Sequence, residues 1–249
     1  MIVVTADQQD STRRGDLVPQ VLALLDARTR TDGAPDPGLV LPFERTVGDE
    51  VQGVLAGDDA GARLGVDVVA ALLRAGGWSV GVGVGDVTRP LPDHSRAASG
   101  PAFVRARTAV EDARRRGNAV PVTVVGDDAE PGATVAADCR ALLRLLGAVA
   151  ARRSDAGWEA VDGLGAAAGE AAPQRAVART LGISEQAVSQ RLRTALWSEE
   201  QAAHPLARRL LRAADAAATA SDRGGAGEDG PPWAATGRGD DEDEGATDG

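Results

Sequence analysis

Two aspartates carry the first chemical possibility in this chain. Asp7 closes the apolar run Ile2-Val3-Val4-Thr5-Ala6, and Asp49 stands in the turn-forming triplet Gly48-Asp49-Glu50. Carboxylates brought together in this way suit Mg²⁺, which takes one or two of them and keeps the rest of its shell for water and phosphate oxygens. Arg45, Gly48 and Glu50, close to Asp49 in sequence, are candidate ligand-binding residues beside it. Plainer roles stand beside these: Asp7 caps the loop that follows it, and Asp49 fits a tight turn.

A second group of residues points to nucleic acid. Gln186, Ser189, Gln190 and Arg193 recur at helical spacing behind Ser184. Amide and guanidinium ends can read base edges in the major groove. Arg179, Thr180 and Arg191 are suited to phosphate contacts. The plainer reading is a helical hairpin packed on the body with its Arg side chains as a solvated face. Other chemistry is excluded. The single cysteine, Cys139, permits no internal disulfide and no thiolate zinc site, and His94 and His204 are too few for a histidine metal cluster.

Charge separates the chain into regions. The formal net charge is −10, yet residues 173–212 hold seven Arg against three Glu, a local excess of +4. Residues 222–249 hold nine acids against two Arg, or −7. There is no Lys, so Arg abundance alone is not a binding signal; its clustering is. None of the 52 Leu, Val, Ile and Phe residues lies beyond Leu211. Residues 216–249 therefore read as a disordered acidic tail, serving solubility or competing with DNA phosphates for the basic segment. No apolar run spans a bilayer and the start shows no secretory signal, so a cytoplasmic protein with no membrane partner is expected.

The elements that must position these residues follow from periodicity. Residues 2–6 read as a strand, and Val18, Val21, Leu22 and Leu25 mark a helix over 16–30. Leu39 to Val47 and Val51 to Ala56 read as a hairpin about the Gly48 turn. A helix through Val66, Val69 and Leu73 ends at Gly76-Gly77. The run Trp78 to Gly85 reads as a strand with Val on one face and Gly on the other, open to close approach by a helix or ligand, and it is not a dinucleotide fingerprint. A helix at 99–117, a strand at 120–125 and a long helix at 133–152 follow. Strand–helix–strand–strand–helix–strand is the ferredoxin-like order, with helices on one face of a sheet that places Asp7 and Asp49 side by side. Asp10, Glu50 and Asp86 are expected to add negative charge nearby.

The basic segment reads as a helix-turn-helix. Ala178 is small where a second helix crosses, Gly182 takes the positive-φ turn, and Ser184 caps the next helix. Val177, Leu181, Ile183, Val188 and Leu192 form its apolar seam, with Trp158 and Trp197 as core anchors.

The front half resembles a known family. Thr5-Ala-Asp7-Gln-Gln-Asp-Ser11-Thr12, Arg45-Thr-Val-Gly48-Asp49 and Val80-Gly-Val-Gly-Val-Gly85-Asp86-Val87 are similar, in order, to segments of class III nucleotidyl cyclases. The resemblance covers roughly residues 1–110 and implies metal ligation by Asp7 and Asp49. The family's catalytic Asn and Arg fall on Val104 and Thr108, with Arg105 and Arg107 only flanking, and its base-reading Lys is Arg45. Transition-state charge stabilisation is thus missing. The rear segment resembles MarR-like and sigma-region-4-like helix-turn-helix modules, and the combination resembles the SatD family.

These readings give an α+β protein with three parts. Residues 1–130 form a cyclase-like ferredoxin-fold domain, 131–215 a helix-turn-helix domain, and 216–249 the tail. The expected function is a transcriptional regulator that binds double-stranded DNA as a homodimer, with a degenerate ligand-sensing or dimerisation domain and no catalytic residue assigned. The alternative is a metal-dependent enzyme acting on nucleoside triphosphates, with Mg²⁺ and a nucleotide as its ligands.

Overall fold

The computed structural model describes residues 1–31, 33–115 and 117–225. β1 (Ile2–Gln8) passes through the single turn α1 (Ser11–Arg14) into α2 (Val18–Arg28), and β2 (Arg30–Thr31) and β3 (Ala34–Pro35) form a small ribbon. β4 (Leu39–Arg45), β5 (Glu50–Leu55), α3 (Asp59–Ala75), β6 (Trp78–Val84), α4 (Pro101–Ala113) and β7 (Val122–Val125) complete the sheet. Five further helices follow: α5 (Gly132–Ala151), α6 (Asp155–Ala166), α7 (Pro173–Leu181), α8 (Glu185–Thr194) and α9 (Trp197–Gly225).

The fold is mixed α and β around a five-stranded mixed sheet in the order β4-β5-β1-β6-β7. β1 runs antiparallel to both β5 and β6, β4 antiparallel to β5, and β6 parallel to β7. Ile2, Val4 and Ala6 of β1 face one side with Val80, Val82 and Val84 of β6, where α2, α3, α5 and α9 cover them. Val3 faces the other side, against Ala102 and Ala106 of α4. Period-two alternation sends successive residues to opposite faces, so each central strand serves two layers.

Helices therefore cover both faces, where the sequence led us to expect one. The reason lies in β6. A Cβ at Gly81 or Gly83 would strike backbone atoms of Ala106, Val110 and Ala102, so only glycine admits α4 this close. The Gly face is filled by a helix and not by a ligand. At the β7 edge, Arg144 of α5 donates from Nε to the Val122 carbonyl at 2.9 Å, satisfying an acceptor that an open edge would expose.

The packing departs from the expected division in two places. α5 and α9 do not belong with the basic segment: Cys139, Leu143, Ala207 and Leu211 lie in the same core as the sheet. The separate small core is made by α6, α7 and α8, with Ala160, Val177, Val188 and Leu192 at its centre. The expected disorder from residue 216 is also corrected, because α9 continues to Gly225. Its Asp222 is held by Arg105 of α4, and Ala218 is fully buried, so this stretch folds on alanine packing and ion pairs that a count of large apolar residues overlooks. The remainder of the expected tail, 226–249, lies outside the described residues.

Candidate functional site

Asp7 is buried on the α4 side of the sheet, directly across from Glu50 on β5 and Ser79 on β6. Burial, only partly opposed by the guanidinium of Arg114 at 3.2 Å, pushes its carboxyl pKa up to about 6, with Asp49 and Glu50 adding repulsion. A carboxyl poised near neutrality in a cleft can hold or release a proton at cellular pH. That cleft is polar, about 580 Å³, and includes Gln9, Ser79, Arg114 and Asn118.

Asp49 opens onto a different cleft, of about 490 Å³, with Ser11, Thr12, Asp16, Arg45 and Gly48. Gly48 takes the positive φ of the turn, at +63°. Arg45 is committed to Asp16, with Nη2 2.8 and 2.6 Å from the two carboxylate oxygens, and Nη1 donates to the Gly48 carbonyl at 3.0 Å. Those hydrogen bonds hold the exposed Asp16 carboxyl below the usual carboxylate range. Glu50 accepts the Thr46 hydroxyl at 2.6 Å. Asp86, expected near Asp7, lies at the opposite end of the sheet, where Ile2 pairs with Val84 and Asp86 meets Arg223 of α9.

This end of the sheet thus brings Asp7, Asp49 and Glu50 near one another without gathering them around one point. Among the described residues no three His, Cys, Asp or Glu side chains form a group able to hold a metal ion. With Asp7 turned to a guanidinium and Asp49 in a separate cleft, the donors present do not fit Mg²⁺. Arg105, flanking the position of the cyclase arginine, is spent on Asp222 and the Val84 carbonyl, and Arg107 pairs with Glu111 on the surface.

The α7–α8 pair is built differently. α7 ends where Gly182 adopts φ 65° and ψ 32°. The Ile183 N–H then donates to the Ala178 carbonyl at 3.0 Å and the Gly182 N–H to that of Arg179 at 3.3 Å, a Schellman turn. Ser184 caps α8, its Oγ accepting the Ala187 N–H at 3.1 Å. Val188 and Leu192 bury one face of α8 against Ala176 and Val177, which leaves Gln186, Gln190 and Arg193 exposed and Ser189 half-buried on the other. Arg179 and Thr180 are exposed at the end of α7, and Ser184 at the start of α8. Arg191 is half-buried and pairs with the exposed Glu159 of α6 at 2.8 Å. No family model, curated protein or solved structure matches this chain.

Sequence reasoning missed the residues that join this helical unit to the body. Trp158 and Trp197 do pack against the small core, but Trp158 also carries the Arg74 guanidinium 3.8 Å from its ring centre and that of Arg153 at 4.3 Å. Arg74 closes a two-pronged pair with Asp162, both oxygens at 2.6 Å, and Arg153 is buried against Glu200. These partners lie 88 and 47 residues apart, and nothing local in the chain announces them. Among the described residues no helix is long and apolar enough to cross a membrane.

Proposed function

We propose that this chain is a DNA-binding transcriptional regulator of the SatD family, acting in the cytoplasm as a homodimer. α7 and α8 form its helix-turn-helix, with α8 as the recognition helix. The sheet body is a degenerate cyclase-like domain that senses a ligand or mediates dimerisation. The order and directions of β4, β5, β1 and β6 agree with a ferredoxin-like sheet and support that reading of the body.

The observation that carries the proposal is the outward face of α8. Gln186, Gln190 and Arg193 stand exposed on a helix whose opposite face is buried and whose entry is fixed by Gly182 and Ser184. A rigid helix presenting amide and guanidinium groups is what major-groove readout requires. Arg179 and Thr180 stand at the rim for phosphate contact. A single such helix reads too few bases for useful specificity, which is why two copies are proposed. The alternative of a metal-dependent enzyme acting on nucleoside triphosphates has less support, since Asp7 and Asp49 open onto separate clefts, and it is not the reading proposed.

Gel-shift titration against genomic fragments tests the reading. Binding that weakens steeply with salt and is lost in Arg193→Ala is the expected result. Absence of any salt-sensitive, Arg193-dependent shift overturns it.

A further inference from the structure

Between α3, α6 and the first turns of α9 lies a cleft of about 610 Å³, within the range of small-molecule sites. Its floor is the side chain of Arg153, which is fully shielded from solvent. Nη2 of that guanidinium donates to the Ala195 carbonyl at 3.0 Å and to Glu200, whereas Nη1 has no acceptor among the described residues. Arg208, on the α9 wall, likewise buries its Nε without an acceptor. Buried N–H groups of charged side chains are almost always satisfied, and two orphans just behind the surface of one cleft leave a donor surplus that an anion seated there would satisfy.

The charge balance agrees. Four guanidinium groups line the cleft against the carboxylates of Asp67, Asp162 and Glu200. Asp162 is taken by Arg74 and Glu200 by Arg153, while Asp67 sits 3.2 Å from Arg63 and only 3.9 Å from Arg208. Arg28 is left with positive charge to offer, and Arg208 is held only by its long contact with Asp67. Trp197 and Val161 supply apolar surface beside these donors, while the Trp158 ring is already covered by Arg74 and Arg153.

We propose that this cleft binds a small aromatic anion, its carboxylate or phosphate against the orphan N–H groups of Arg153 and Arg208 and its ring against Trp197 and Val161. The site is separate from the outward face of α8 and does not depend on DNA being the partner there.

The test is direct titration of the full chain, by calorimetry and by indole fluorescence, with benzoate, phenylphosphate and inorganic phosphate. Two variants accompany it. Arg208→Gln removes one orphan donor from a partly exposed side chain, and Ala70→Phe fills the mouth of the cleft from an exposed position on α3. Both leave the buried Arg153–Glu200 pair intact and are expected to melt with the parent. Saturable binding of at least one aromatic anion, weakened at least tenfold in each variant, is the expected result. No saturable signal with either aromatic anion overturns the proposal, as does inorganic phosphate binding equally well or an affinity unchanged in either variant.

Discussion

Asp222 grips Arg105 with both carboxylate oxygens, each 2.8 Å from a guanidinium nitrogen, and fastens the last turns of α9 to α4. The same carboxylate accepts the Asp86 backbone N–H at 2.8 Å. Both side chains are largely shielded, at 17% and 9% exposure, so removing one partner strands the other. Asp222→Ala is expected to lower the unfolding free energy by about 3 kcal/mol, read from urea denaturation. The double variant Arg105→Met, Asp222→Leu should recover part of that loss, because the guanidinium no longer stands without Asp222, while Asp127 and the Asp86 N–H still lose their partners.

A pH dependence follows from Asp7. Its carboxyl titrates at about 6 in the folded chain, above the ordinary carboxylate value of the unfolded one. Between those values the folded state binds more protons, so stability from this group rises as pH falls through 6 and is lost above it. Asp7→Asn is expected to raise stability at pH 7 by about 2 kcal/mol and to flatten the profile between pH 4 and 6. A melting series across that range checks both. A destabilised Asp7→Asn at pH 7 would mean that the ion pair with Arg114 outweighs the burial cost.

The glycine face of β6 makes a sharper claim. In Gly83→Ala the new methyl would meet the Ala106 nitrogen and the Ala102 carbonyl, both backbone atoms that cannot step aside alone. A loss of about 2 kcal/mol or more is expected. Gly165→Ala, in α6, is the contrast: nothing lies within 4 Å of its Cβ, and a gain of up to about 1 kcal/mol is expected from helix propensity. Thermal unfolding of the two variants side by side distinguishes a packing glycine from an incidental one.

Much of this architecture was legible in the chain, and the reasons differ by element. Alternation in Trp78–Val84 announced a strand with Gly81 and Gly83 on a face open to close approach, but not whether a helix or a ligand would fill it. Gly182 and Ser184 announced the α7–α8 turn through local backbone chemistry. What stayed hidden was long-range and polar. Arg153 reads as one more basic residue until Glu200 and Trp158 are found around it. Asp7 and Asp49 were rightly assigned to one end of the sheet, yet nothing in the sequence said that Arg114 would occupy Asp7 or that Asp49 would open elsewhere. The helical course of 216–225 was hidden because its packing uses alanine.

The entry to α8 should be measurable in isolation from any ligand. Ser184→Ala removes the acceptor for the Ala187 N–H and is expected to cost about 1 kcal/mol. Gly182→Ala keeps a left-handed residue at the turn and adds a Cβ there, costing about 1–2 kcal/mol. Hydrogen exchange should show both losses concentrated in α7 and α8, whose core is separate from that of the sheet.

Residues on the two rims of that helix pair should fail in different ways if α8 enters the major groove. Gln190 is exposed on α8 itself, so Gln190→Ala is expected to cost about 1–3 kcal/mol at a cognate site and little at random sequence. Arg179, exposed at the end of α7 in a long 3.7 Å ion pair with Glu170, would on that docking meet the phosphate chain. Arg179→Ala should therefore weaken cognate and random duplexes alike and reduce the salt slope by about 1. Arg191 supplies the internal control. Half-buried and tied to Glu159, it should affect the salt slope less than Arg179 does. A filter-binding series over several salt concentrations separates the three, and a salt slope that falls with Arg191→Ala and not with Arg179→Ala would reverse the assigned docking face.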